Sequence, residues 1–239
     1  MVKPTKIIVV AAGSGRRFGS PLPKQFCLLD GVPVLVRNIR NLRVNFPDET
    51  EIILVLNRDY FETWEKICND YDFHREDKLV EGGICRAESV SNALDTIDSE
   101  FDGVIMVHDG VRPFVSRDIV YNLFSVLTEE EFYAIPAVPV SDSLRKVEKD
   151  GESLPVNRAL FRAVQTPQAF PAKLLKQAYK IAKEQSLLNN FTDDASVVNY
   201  YNPKIKAVLT EGSPYNIKIT NPLDLRMAET LLRCATLGE

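Results

Sequence analysis

Three short segments carry the side chains that could do chemistry. The first, Ala11-Ala12-Gly13-Ser14-Gly15-Arg16-Arg17-Phe18-Gly19, leaves an apolar run and continues into Pro21-Leu22-Pro23-Lys24-Gln25. Glycines at the end of a parallel strand let backbone N–H groups approach phosphate oxygens closely. Arg16, Arg17 and Lys24 add three cations to the same loop, which suits a triphosphate; a solvated basic loop has the same composition. A dinucleotide fingerprint needs its third glycine where Phe18 stands and a helix running on, and Pro21 and Pro23 break any helix. A P-loop needs Gly-Lys-Ser/Thr, which the sequence lacks.

The second segment, His108-Asp109-Gly110-Val111-Arg112-Pro113-Phe114, follows the apolar run Val104 to Val107. Ligands of open α/β sheets gather outside the carboxyl ends of strands, so Asp109 is expected beside the glycine loop. One carboxylate plus substrate phosphates makes an ordinary magnesium site, because Mg²⁺ keeps several waters and needs no protein cage. Asp109 is therefore a candidate Mg²⁺ ligand, with a turn-capping role as the alternative. His108 reads as a packed strand-end residue rather than a base. The third segment, Glu81-Gly82-Gly83-Ile84-Cys85-Arg86-Ala87-Glu88-Ser89, places a diglycine between a strand end and a helix. A planar base can lie against such a backbone, with Ser89 as a polar contact in the first helical turn; a tight strand-to-helix turn is the plainer reading.

These segments need a scaffold. Ile7 to Ala12, Ile52 to Leu56 and Val104 to Val107 are nearly continuous apolar runs, the pattern of strands buried on both faces of a parallel sheet. Between them lie helical periods: Val34 to Val44, Tyr60 to Cys68 around Trp64, and Ala87, Val90, Leu94 and Ile97 on one face. The alternation predicts an α/β fold with a doubly wound, mostly parallel sheet, formed as one domain over residues 1–239. A helix near Ser116 to Leu127 takes Ser116 as N-cap, and the run Phe132 to Val140, interrupted by Pro136 and Pro139, is expected to leave the sheet early. Asp150-Gly151, between Ser143 to Glu148 and Ser153 to Ala159, signals a hairpin, so residues 141–168 read as a protruding β-arm. Further on come a helix after Pro171, a short one after Thr192, strands near Ile205 to Leu209 and Asn216 to Ile219, and a final helix. That last helix has Asn221 as cap, Pro222 at its first position and Asp224 in its first turn.

The 45% hydrophobic content is enough to bury a full core, and the net charge of −4 gives no reason to expect nucleic acid or an anionic membrane surface as partner. Four scattered cysteines without a CxxC pair and only two histidines argue against structural zinc or a disulfide framework. The apolar run after Lys6 is too short for a signal peptide or a membrane span, which points to a reducing cytoplasm.

Taken together, AAGSGRR with PKQF, GGxxRxxSV, HDGVRPF, VNRALFRAVQTPQAF, TDDASVV and NIKIT resemble the 2-C-methyl-D-erythritol 4-phosphate cytidylyltransferases, from Ala11 to Glu229. The resemblance implies a Rossmann-like nucleotidyltransferase fold with a dimerising β-arm. It also implies that CTP and methylerythritol phosphate react to the CDP-alcohol and pyrophosphate. Arg17 and Lys24 would stabilise charge at the α-phosphate, with Arg158 and Lys218 also in catalytic positions, and Asp109 would hold Mg²⁺. Ala11, Ala12, Gly13, Ser14, Gly15, Gly83, Ser89 and Asp109 would bind the nucleotide. Arg112, Ser143, Thr166 and Thr192 would join Arg158 around the acceptor, Arg158 and Thr166 reaching from the arm into the partner subunit's site of a homodimer. Two departures stand out: Tyr215 where the family often has an acidic residue, and Ser143 where threonine is common. Two rival readings remain: a ribitol-5-phosphate cytidylyltransferase, which shares the fold and several motifs, and a non-catalytic CTP-binding protein.

Overall fold

The apolar runs become the inner strands of a sheet whose two faces are both covered. The computed structural model describes residues 3–13, 18, 22–73, 77–127 and 132–236, with the backbone alone for 235 and 236. Its strands are β1 (Thr5–Val10), β2 (Leu28–Leu29), β3 (Val32–Pro33), β4 (Glu51–Leu56), β5 (Lys78–Glu81), β6 (Val104–Asp109), β7 (Phe132–Pro139), β8 (Leu144–Val147), β9 (Ser153–Val156), β10 (Arg162–Val164), β11 (Gln168–Pro171) and β12 (Lys206–Glu211). Eight of them form one sheet in the order β10-β7-β11-β6-β1-β4-β5, with β12 also on β7. β1 pairs parallel with β4 on one side and β6 on the other. The strand order therefore reverses at β1, and a crevice is expected at the carboxyl ends of these strands.

Side-chain alternation explains why the inner strands read as continuous apolar runs. Ile7 and Val9 of β1 face one core, with Ile52, Leu54 and Met106. That core is covered by α1 (Val34–Asn45), α2 (Phe61–Asp70) and α4 (Arg117–Val126), which contribute Ile39, Trp64 and Leu123. Ile8 faces the other way, with Ile53, Val55, Ile105 and Val107. There α3 (Arg86–Leu94), α5 (Ala172–Glu184) and α6 (Asp194–Tyr201) supply Val90, Leu175 and Val198. A polar residue at either set of positions would be buried, so neither face can show the polar half of an amphipathic strand. The doubly wound α/β fold is thus as the periodicity predicts. The last helix, α7 (Pro222–Thr236), closes a small third cluster through Ala228, Val111 and Ile219.

Cap chemistry fixes the helix starts. Ser116 Oγ accepts from the Ile119 N–H at 3.3 Å, and Asp193 forms a reciprocal capping box with Ser196. At the last helix Asn221 Oδ1 accepts from the Leu223 and Asp224 N–H groups, and Asp224 Oδ2 accepts in return from the Asn221 N–H at 2.9 Å.

Three expectations need correction. β7 does not leave the sheet early: it stays for eight residues and lies between β11 and β10 on one side and β12 on the other. Pro136, which has no N–H to donate, falls at the joint where β11 gives way to β10, and its carbonyl accepts from the Gln165 N–H at 2.7 Å. The arm is narrower than 141–168. β8 and β9 form a separate two-stranded hairpin, whereas β10 returns to pair with β7, and Gln165, Thr166 and Gln168 are buried in the body. Asn216 to Ile219 is not a strand; it is pinned instead by the buried Asn216 side chain and by one backbone bond from Ile219 to Val111.

Candidate functional site

A cleft of about 820 Å³ opens where β1, β4, β5 and β6 end. Ala11, Ala12 and Gly13 extend β1 along one wall, and Gly83 and Ser89 carry β5 into α3 on the other. Lys24, Asp109 and Lys218 reach the same space from three separate parts of the chain. The two walls touch closely: a Cβ on Gly82 would stand 2.3 Å from the Ala12 Cβ and 3.2 Å from Ser89 Oγ. A Cβ on Gly13, by contrast, meets no atom within 4 Å. Gly82→Ala is therefore expected to destabilise the fold by about 1–3 kcal/mol through overpacking, read as a lower Tm. Gly13→Ala should leave Tm unchanged, because its methyl would project into open space at the cleft. Equal Tm losses for the two variants would contradict this division.

Asp109 is the electrostatic centre. Its Oδ1 lies 3.4 Å from Arg86 Nε, and its Oδ2 lies 3.2 Å from Arg112 Nε and 3.0 Å from Lys218 Nζ. Burial alone would raise its pKa, but the charges of Arg86, Lys218 and Arg112 outweigh it and hold the carboxyl well below the usual carboxylate range. Behind it, Arg86 Nη2 pairs with Asp194 Oδ2 at 2.8 Å, and Asp194 Oδ1 accepts from Tyr179 Oη at 2.6 Å. Burial would lower the Arg86 pKa; Asp194 and then Asp109 reverse that and raise it above its ordinary value. Burial, reinforced by Asp194, likewise raises the Tyr179 hydroxyl well above its usual pKa. The row thus has three cations against two carboxylates, one net positive charge beside the cleft.

His108 is buried and neutral, and burial pushes its pKa down to about 4. Thr166 Oγ1 accepts from the Asp109 N–H at 3.0 Å and lies 3.1 Å from His108 Nδ1. On the other side of the ring, Nε2 lies 3.1 Å from the Arg112 carbonyl and 3.0 Å from Asn38 Nδ2. His108 is thereby a packing group, as the sequence suggests. Because its folded pKa lies below the ordinary 6.5, the stability it contributes is complete above pH 6.5 and is lost as pH falls towards about 4. About 3 kcal/mol is expected to disappear over that window. The loss should be absent in His108→Gln when unfolding free energy is measured against pH.

The expected site residues separate into groups. Ala11, Ala12, Gly13, Lys24, Gly83, Ser89, Asp109 and Lys218 converge on the cleft. Ser89 is already engaged, accepting from the Gly83 N–H and donating to the Cys85 carbonyl, so its first task is to hold the diglycine turn. Arg112, expected around the acceptor, turns inward: its Nε is held by Asp109, and its Nη1 donates to the Asn216 carbonyl at 2.7 Å. Thr166 is not on the arm either; it is 5% exposed and orients Asp109 within its own subunit. Ser143, Arg158 and Thr192 are exposed and lie outside the cleft lining, Arg158 donating to the Ser141 carbonyl. Ser14, Gly15 and Arg17 lie outside the described residues.

Sequence reasoning gave no role to Arg86, Asp194 or Gln25. A signal existed for the first two. Arg86 opens α3, where the helix dipole disfavours a cation, and Asp194 opens α6, where it favours an anion. Among the described residues no three His, Cys, Asp or Glu side chains converge to hold a metal. Asp109, ionised and facing the cleft, fits a divalent cation held chiefly by nucleotide oxygens and water.

Residues 5–234 match the family model described as IspD, 2-C-methyl-D-erythritol 4-phosphate cytidylyltransferase. The chain belongs to this family. A cytidylyltransferase of that name from Bacteroides fragilis is 40% identical over 225 residues, 94% of this chain and 98% of the relative. One from Bacillus mycoides is 38% identical over 229 residues, covering 95% and 96%. Among solved structures, the 4-diphosphocytidyl-2C-methyl-D-erythritol synthase of Anaerococcus prevotii superposes with a TM-score of 0.78 at 28% identity, covering 97% of this chain and 99% of that one. The bifunctional IspDF of Campylobacter jejuni matches with a TM-score of 0.74 at 30% identity, over 93% of this chain and 53% of its own. The cytidylyltransferase family's fold is therefore the fold described above.

Proposed function

We propose that the chain transfers the cytidylyl group of CTP to 2-C-methyl-D-erythritol 4-phosphate, forming 4-diphosphocytidyl-2-C-methyl-D-erythritol and pyrophosphate. The observation that carries this reading is the convergence of Lys24, Lys218 and Asp109 on a cleft walled by glycine backbone, in a chain of this family. An acceptor phosphate oxygen attacks the α-phosphorus in line. The new P–O bond forms as the bond from the α-phosphorus to the bridging oxygen breaks, and its electron pair leaves with pyrophosphate. A phosphate dianion needs no base to activate it, which agrees with a neutral, enclosed His108. Catalysis then consists of positioning plus cations placed where charge develops.

Lys24, together with Arg17 by its place in the glycine loop, neutralises charge at the α-phosphate. Lys218 sits at the mouth of the ion row, 39% exposed and bonded to Asp109. Mg²⁺, when bound through Asp109 and the nucleotide, supplies further charge neutralisation on the triphosphate. Ala11, Ala12, Gly13, Gly83 and Ser89 frame the cytosine, with Ser14 and Gly15 continuing the loop. Arg158 and Ser143, exposed beside the arm, reach a second copy's cleft in a homodimer, and Thr192 meets the acceptor. Among the described residues no helix is long and apolar enough to cross a membrane, and the proposed setting is the cytoplasm.

The acceptor is tested by comparing kcat/KM for pyrophosphate release with methylerythritol 4-phosphate and with ribitol 5-phosphate. A preference for the first supports the reading. A preference for ribitol 5-phosphate would keep the chemistry and overturn the acceptor.

A further inference from the structure

Gln25 is 2% exposed and sits in the short turn Lys24–Phe26, yet its side chain is spent on a different part of the chain. Its Nε2 donates to the Ala11 carbonyl at 2.7 Å and to the Gly13 carbonyl at 3.2 Å. A carboxamide nitrogen has two hydrogens, and each of these carbonyls takes one. Ala11 is held from its other side as well, because its N–H donates to the Val55 carbonyl of β4 at 2.8 Å. The start of the glycine loop is thus tied to the sheet through one backbone group and to Gln25 through two others.

This tie has two consequences for a triphosphate. The residue next to Gln25 is Lys24, so the amide couples the lysine-bearing turn to the backbone of Ala11 and Gly13. It also occupies the Ala11 and Gly13 carbonyl oxygens at the cleft wall. Gly13 has nothing within 4 Å of where a Cβ would stand, and its carbonyl is held by the Gln25 bond.

We infer that Gln25 is a positioning residue of the transfer reaction, fixing the distance between Lys24 and the glycine loop so that both act on the same triphosphate. The inference rests on the proposed function. Misplacing a reacting or charge-bearing group by about 1 Å can reduce rate by about a hundredfold.

The test is a double-mutant cycle on the full chain with Gln25→Leu and Lys24→Ala, reading kcat, KM for each substrate, CTP affinity by calorimetry, and Tm. Gln25→Leu is expected to lower kcat about ten- to a hundredfold with KM for the acceptor unchanged. In the Lys24→Ala background the same change should cost less than about threefold, because the group it positions is gone. A purely structural role would instead give losses that multiply, and that result would overturn the inference, as would a loss under about threefold in Gln25→Leu alone. Should Gln25→Leu fail to melt cooperatively, Gln25→Asn keeps the amide on a shorter stem and runs the same cycle. Calorimetry separates the two possible failures. Wild-type protein that binds CTP without turnover defeats the reaction, whereas wild-type turnover with a loss under about threefold in Gln25→Leu defeats the positioning role alone.

Discussion

Lys24→Ala is expected to lower turnover by about a hundred- to a thousandfold while Tm and CTP-induced stabilisation change little. Lys24 lines the cleft from a short turn held by backbone bonds, Phe26 N–H to Pro23 and Cys27 N–H to Lys24, which do not depend on its side chain. The fold therefore survives its removal. In the proposed mechanism, what is lost is a cation beside the α-phosphate as charge builds on the oxygens around phosphorus, an interaction stronger in the transition state than with bound CTP. Arg17→Ala should lose a similar factor. A tenfold or smaller loss for both would remove them from the mechanism.

The second large effect is on stability rather than rate. Arg86→Met should destabilise the protein by about 3–5 kcal/mol, the usual result of removing one partner from a buried ion pair. The methionine fills much of the space, so the deficit is electrostatic: Asp194, 0% exposed, keeps only Tyr179 as a hydrogen-bond donor to its carboxylate among the side chains that now hold it. For a domain of this size the change corresponds to about 10 °C in Tm. Asp109 is less exposed to the loss, since Arg112 and Lys218 remain within 3.2 Å of it. A Tm within 2 °C of wild type, on the order of 1 kcal/mol or less, would show that the ion row adds little to stability.

The parts of the fold that were legible in the sequence are those set by short-range patterns. Ile7 to Val10, Ile52 to Leu56 and Val104 to Val107 read as doubly buried strands because every position on them meets a core. Ser116 and Asn221 read as caps because the N–H groups they bond lie within three residues. The site was legible where a motif places a residue at a strand end, as with Gly13, Gly83 and Asp109. Long-range pairing was not. Arg86 meets Asp194 across 108 positions, Arg112 turns inward to the buried Asp109 carboxylate, and Thr166 turns inward to the Asp109 backbone N–H. The same limit explains β7: a proline argues against a central strand until the joint between β11 and β10 that tolerates it is known. Likewise the arm's end at β10 is decided by pairing with β7, a partner outside the arm.

The most direct test of the transfer reaction is to follow CTP by phosphorus NMR with the protein, Mg²⁺ and methylerythritol 4-phosphate, and with each omitted in turn. The expected result is that the CTP signals give way to equal amounts of pyrophosphate and a new cytidine diphosphate ester, only when all components are present. Release of CMP without the diphosphate ester, or unchanged CTP in the presence of folded protein that binds it, would contradict the assignment of Lys24, Lys218 and Asp109 to cytidylyl transfer.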